Sequence, residues 1–234
     1  VDIGMAVDTK VSKELKVAYG TANMTKGPAM TRAQAVQALE AGIEMVRRLK
    51  EEGYGLLATG EMGIGNTTTS SAVASVLLDR SVEEMTGRGA GLSGDGLNRK
   101  INAIRKAIEV NQPDPKDAIG VLAKVGGFDI AGMAGMFLGG AALGGFISCV
   151  AALIAQRICP LAGEYMIASH VSKEPAARLI LEALGKEAVI HGEMCLGEGS
   201  GAAAAFPLID MGAEIYHKMS TFEQIDVEAY QELK

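Results

Sequence analysis

Apolar positions recur with a helical period over most of the chain, and glycines make up most of the interruptions. Thr31-x-x-Gln34 is a capping box, in which the hydroxyl and the carboxamide each satisfy a backbone N–H. Val36, Leu39, Ile43 and Val46 then repeat at helical spacing, and Arg47, Arg48 and Lys50 precede a stop at Gly53. Residues 54–59 read as a short apolar strand. It runs into Gly60-Glu61-Met62-Gly63-Ile64-Gly65-Asn66-Thr67-Thr68-Thr69-Ser70-Ser71 and then a helical run over 72–78. Ser81-x-x-Glu84 caps a short helix that stops at Gly87. A second glycine loop (87–92) precedes a helix opened by Asp95 or Gly96, with Ile101, Ile104 and Ile108 on one face. Asn111-Gln112-Pro113-Asp114-Pro115 breaks the chain. Residues 117–125 form another helix, closed by Gly126-Gly127. Helices follow over 148–157 and 175–184, the latter capped by Ser172 and stopped by Gly185. Helices separated by short apolar strands favour an α/β layer with a parallel sheet. Few strands are evident, and the second half reads as nearly all helical.

Residues 130–156 carry no charge, and Gly135-x-x-x-Gly139 resembles a helix-dimer motif. Gly139-Gly140 and Gly144-Gly145 break the run into pieces too short to span a bilayer, so two buried helices are expected. Residues 1–5 read as a strand end entering a glycine turn, an odd place for a domain to begin. A preceding segment is therefore expected.

Composition narrows the chemistry. A net charge of −6 with no basic stripe argues against nucleic acid, and the absence of Trp removes the best stacking platform. Cys149, Cys159 and Cys195 fit no disulfide or zinc spacing and read as reduced core thiols of a cytoplasmic protein. His170, His191 and His217 form no ligand pair, so neither a metal nor a cofactor is expected.

Two stretches carry candidate chemistry. The order strand, glycine loop, hydroxyl-rich helix start over 54–71 builds an anion site from helix N–H groups and Thr/Ser hydroxyls. It lacks the Gly-Lys-Ser/Thr of a Walker loop, and an ordinary capped helix remains the alternative. In Leu196-Gly197-Glu198-Gly199-Ser200-Gly201, one carboxylate stands among residues with almost no side chain. If that turn is buried, desolvation raises the carboxyl pKa towards that of a general base. An acidic helix N-terminus is the plainer reading. Lys100, Arg105 and Lys106 on the helix after 95 read as its solvated face.

Residues 60–68 and 196–203, with Val125-Gly126-Gly127-Phe128-Asp129-Ile130-Ala131-Gly132-Met133, resemble the nicotinate-nucleotide–dimethylbenzimidazole phosphoribosyltransferase family. Gly20-Thr21-Ala22-Asn23-Met24, Gly27-Pro28-Ala29-Met30, Asn111-Gln112-Pro113 and Ser169-His170 also fit, and the similarity runs to about Gln224. The resemblance implies a Rossmann-like parallel-sheet domain (1–170). A C-terminal helical segment (171–234) would contribute to a smaller helical domain and carry the glutamate loop. It implies a homodimer that moves the phosphoribosyl group of nicotinate mononucleotide to a benzimidazole-type base, in assembly of the cobamide nucleotide loop. Glu198 falls at the general-base position, and Glu61 on the ribose side as the second catalytic carboxylate. Gly63, Gly65, Asn66, Thr67, Gly89, Ala90, Gly91 and Lys100 become nucleotide contacts, with Lys100 countering the phosphate. Gly126, Gly127, Ser169, Leu196 and Gly197 line the same cleft.

The family carries an N-terminal segment before the position of Val1 that contributes to the base pocket. It also carries a short apolar strand ending in Asp between the positions of Leu143 and Gly145. Neither occurs in this sequence, so that central strand is expected to be missing. The competing expectation is a catalytically weakened homologue that holds the mononucleotide without a complete base pocket.

Overall fold

Thr31 opens the first long helix through both halves of its box. Its hydroxyl accepts the Gln34 N–H at 3.1 Å, and its own N–H donates to Gln34 Oε1 at 3.0 Å. In this computed structural model, which describes residues 1–62, 65–140, 142–228 and 230–231, α1 (Arg32–Glu51) leads to β1 (Leu57–Ala58), α2 (Asn66–Leu78), α3 (Val82–Met85) and α4 (Gly94–Asn111). There follow α5 (Ala118–Val125), α6 (Phe128–Gly139), β2 (Ala142–Gly144) and α7 (Phe146–Ile158). The chain continues with β3 (Ile167–His170), α8 (Ala176–Leu184), β4 (Ala188–Ile190) and α9 (Ser200–Lys218).

The four strands form one parallel sheet in the order β1-β2-β3-β4, with Leu57 opposite Ala142, Leu143 opposite Ile167 and Ala168 opposite Ala188. Parallel neighbours need helical crossovers, so all the loops that follow strands gather at one edge. Two expectations are corrected here. A central strand is present: β2 pairs with both β1 and β3. Three residues suffice, because a gap there would leave the facing backbone groups of both neighbours unpaired in the core. The second half is also not all helical, since it supplies β2, β3 and β4. Strands of three or four residues are too short to show a period and are made by their pairing. β4 joins β3 across the boundary expected at 170/171, so residues beyond 171 begin within the same sheet.

The buried stripe of α1 is Ala35, Ala38, Leu39, Gly42 and Val46, whereas Ile43 is 40% exposed. The helix turns this small-residue face to α6 because their backbones nearly touch. A Cβ on Gly42 would overlap the Gly132 carbonyl, and one on Gly135 would overlap that of Leu39. The Gly135-x-x-x-Gly139 pattern thus serves a helix pair inside this chain. Among the described residues no helix is long and apolar enough to cross a membrane. Behind the sheet α7 is buried from Phe146 to Ala155 and packs on α6 and α8. At the start of the chain, Asp2 is buried and accepts from Met5 N (2.8 Å), Thr9 Oγ1 (3.1 Å) and Lys16 Nζ (3.0 Å).

Candidate active site

In a parallel sheet, ligands are bound outside the carboxyl ends of the strands. At that edge β1 continues into Thr59-Gly60-Glu61, and the loop after β4 ends in the turn 197–199 that opens α9. The two segments meet backbone to backbone. A Cβ on Gly60 would lie 2.8 Å from Gly199 N and 3.0 Å from the Glu198 carbonyl carbon, closer than real side chains come. Glu61 and Glu198 therefore spring from neighbouring points of one surface.

Gly197, Glu198 and Gly199 all have positive φ, at 80°, 56° and 79°. Two glycines take this left-handed path freely, but Glu198 bears a side chain there at a cost of about 1 kcal/mol or more. Strain of this kind is retained where the surrounding structure imposes it, commonly at functional sites. Ser200 secures the turn by donating both its N–H and its hydroxyl to the Gly197 carbonyl, at 3.0 and 2.7 Å. The expected dry carboxylate is not found, because Glu198 is exposed. Its glycine neighbours offer no side chain to cover it, and Leu196, at 75% exposure, turns away into solvent.

Beside this turn lies the N-terminus of α2, with Gly65 at its cap. Asn66 is buried, and its Nδ2 donates both to Glu61 and, at 2.8 Å, to Asp129 Oδ2 in the first turn of α6. Thr67 accepts at 3.0 Å from Lys100 Nζ, which also donates to the Gly87 carbonyl at 3.0 Å. The expected solvated position of Lys100 is wrong, since the residue is 7% exposed. Burial pulls the ammonium pKa below its ordinary value, against the opposing pull of the Glu174 carboxylate. Two of three ammonium N–H groups are used, leaving one for an incoming anion.

Gly89, at φ 54°, hands its N–H to Glu174 Oε1 at 3.0 Å, while Glu174 Oε2 is buried without a partner. Between the loop at 86–89 and the segment 172–175 opens a cleft of about 470 Å³, with Arg88, Lys173 and Cys195 among its lining residues. Its cations suit the phosphate end of a nucleotide.

His170 ends β3 and is buried against two helix starts. A Cβ on Gly201 would overlap its ring, and one on Gly145 would lie 3.1 Å from Cε1. Ser169 Oγ contacts its Nδ1 at 3.1 Å, and burial lowers the imidazole pKa. Ring and glycines together set the direction in which α9 leaves the sheet.

Of the residues singled out from sequence, Glu61, Gly65, Asn66, Thr67, Gly89 and Lys100 come together, and Leu196, Gly197 and Glu198 adjoin them. Ala90 and Gly91 are exposed at the outer part of their loop. Gly127 lies beside Asp129, whereas Gly126 is packed on the Leu122 backbone. Ser169 has no exposed surface to offer a ligand. Gly63 lies outside the described residues. Sequence reasoning gave no role to Asp129 or Glu174. An acidic residue just after Gly126-Gly127 was a readable helix-start signal, but its pairing with Asn66 was not.

The family model described as Phosphoribosyltransferase matches residues 1–227. A nicotinate-nucleotide–dimethylbenzimidazole phosphoribosyltransferase of Acetivibrio thermocellus is 51% identical over 99% of this chain and 68% of its own length. The same-named protein of Ruminiclostridium cellulolyticum is 51% identical over 100% of this chain and 69% of its length. That second alignment runs over 242 positions against 234 residues here, so the relative has internal residues without a counterpart. The crystal structure of CobT from Thermus thermophilus superposes with a TM-score of 0.90 at 38% identity, covering 98% of this chain and 71% of that one. With the three glycine-framed motifs assembled at one sheet edge and these relatives matching nearly the whole chain, the protein belongs to the nicotinate-nucleotide–dimethylbenzimidazole phosphoribosyltransferase family.

Proposed function

We propose that this protein transfers the phosphoribosyl group of nicotinate mononucleotide to dimethylbenzimidazole or a related base, releasing nicotinate and forming an α-ribazole phosphate. The Gly60–Gly199 contact supports this reading, because it joins at the strand ends the two backbone segments that carry Glu61 and Glu198. The phosphate enters the cleft and meets Lys100, already oriented by Thr67 and the Gly87 carbonyl. The ribose then lies over Glu61, whose negative charge stabilises the oxocarbenium character that develops as the nicotinate pyridinium departs. One ring nitrogen of the incoming base attacks the anomeric carbon while the other gives its proton to Glu198. Glu198 is exposed, so the flat aromatic substrate would itself supply its drying by lying on the glycine turn.

The exposure of Glu198 also favours a second reading, a homologue that holds the mononucleotide with little turnover. Incubation with nicotinate mononucleotide and dimethylbenzimidazole, followed by chromatography for ribazole phosphate and nicotinate, separates the two. Product formation supports transfer, and tight binding without product supports the holder.

The homodimer of the family is proposed for this protein too. Leu208, Met211, Ile215 and Met219 give α9 an exposed apolar face that a second copy would cover, which light scattering of the eluting protein would test. A cytoplasmic location is proposed from its three free cysteines, of which only Cys149 lies in the core as expected, while Cys159 and Cys195 are exposed.

A further inference from the structure

Asn66 is a buried amide whose nitrogen faces two carboxylates from different parts of the chain, Glu61 after β1 and Asp129 on α6. Its orientation is thereby determined, because the opposite flip would set a carbonyl oxygen against two anionic acceptors. Both amide protons are committed, so only Oδ1 remains for a substrate. We infer that Asp129 is a positioning residue that acts through Asn66 to aim Glu61 at the ribose. This inference rests on the reaction centre proposed above and adds a residue to it.

The physical reason is rotational. With only Glu61 as acceptor, the amide of Asn66 would be free to turn about its last torsion, and Glu61 would lose a donor of known direction. Asp129 occupies the second N–H and so fixes the plane of the amide, which keeps the first N–H aimed at Glu61. Asp129 is itself held by the opening turn of α6, where Gly127 leaves space for its carboxylate. A rigid helix thus fixes a loop carboxylate through one intervening side chain.

The test compares Asp129→Ala, Asp129→Asn, Asn66→Ala and the double variant Asn66→Ala/Asp129→Ala in the transfer assay. Misplacement of a reacting group by about 1 Å costs about 100-fold, so Asp129→Ala should lower kcat by roughly 10- to 100-fold. The KM for nicotinate mononucleotide should stay within about threefold, because ground-state binding is not what Glu61 serves. Asp129→Asn still offers an oxygen to the Asn66 N–H and should keep the rate within about fivefold. On the Asn66→Ala background Asp129→Ala should cost less than about twofold more, since nothing is left to transmit its effect. An Asp129→Ala variant with wild-type kcat, or an equal loss on both backgrounds, overturns the inference. Thermal unfolding of the two single variants and the double needs no substrate. Sub-additive losses support the link through Asn66, and additive losses refute it. A wild-type protein without turnover would count against the proposed reaction, and the unfolding cycle would still decide whether Asp129 is coupled to Asn66.

Discussion

Gly60 lies against the Gly199 backbone with no room for a side chain of its own, whereas Gly199 is held to glycine by its positive φ and not by the contact. A Cβ on Gly60 would stand 2.9 Å from the Gly199 Cα, and one on Gly199 would stand 3.6 Å from the Gly60 Cα. Because residues 60 and 199 adjoin the two acidic residues, this contact is the distance gauge of the site. Gly60→Ala should push the α9 turn away and lower kcat by about 100-fold, as an ångström-scale misplacement does. Unfolding in urea should show a loss of about 1–3 kcal/mol, as for overpacking elsewhere. Steady-state rates and denaturation curves on the same variant check both.

Glu198→Gln keeps the shape of the turn but cannot take up a proton. General bases contribute about 100- to 10,000-fold, so kcat should fall at least about 100-fold. Calorimetric affinity for nicotinate mononucleotide should stay within about threefold, since proton transfer serves only the chemical step. A wild-type rate in this variant would remove Glu198 from the mechanism.

Lys100→Ala removes the buried ammonium that donates to Thr67 and to the carbonyl of Gly87, a residue of the cleft wall. A hydrogen bond to a charged group contributes about 1.5–3 kcal/mol, so nucleotide affinity should weaken by roughly 10- to 100-fold. The rate at saturation should change far less, and titration calorimetry together with saturation kinetics separates the two effects.

His170 makes the fold sensitive to mild acid. Burial lowers its pKa in the folded protein, so below the ordinary value of about 6.5 the unfolded chain takes up a proton that the native ring resists. Its contribution is full above that value and is lost as the pH falls towards the lowered native pKa. The Ser169 hydroxyl and the backbones at Gly145 and Gly201 pack on the ring, and among the described residues burial alone accounts for the shift. His170→Asn should flatten the pH dependence of melting temperature below about pH 6.5. The buried Asp2 adds a separate acid sensitivity lower down. Its burial pushes the carboxyl pKa up, but the Met5 N–H, the Lys16 ammonium and the Thr9 hydroxyl bring it net below the usual value.

Much of this was legible from local chemistry. The capping box at Thr31, the Ser81 cap, the helix stops at Gly53 and Gly185 and the breaks around the uncharged run depend on residues a few positions apart. So do the three glycine-framed motifs, which is why the family could be recognised before any fold was known. What the sequence could not show were relations between distant segments. β3 and β4 are too short to announce themselves and exist because neighbouring strands pair with them. Lys100 belongs by its helix to a charged surface and is buried only because Thr67 and the loop at 87 close over it. Glu198 looked dry because its neighbours are small, yet small neighbours are what leave it open to water. The bridge from Glu61 through Asn66 to Asp129 spans loop, α2 and α6, and no local pattern encodes it. Short-range hydrogen bonding wrote the elements into the sequence, whereas burial and long-range pairing, which depend on the whole folded chain, decided the site.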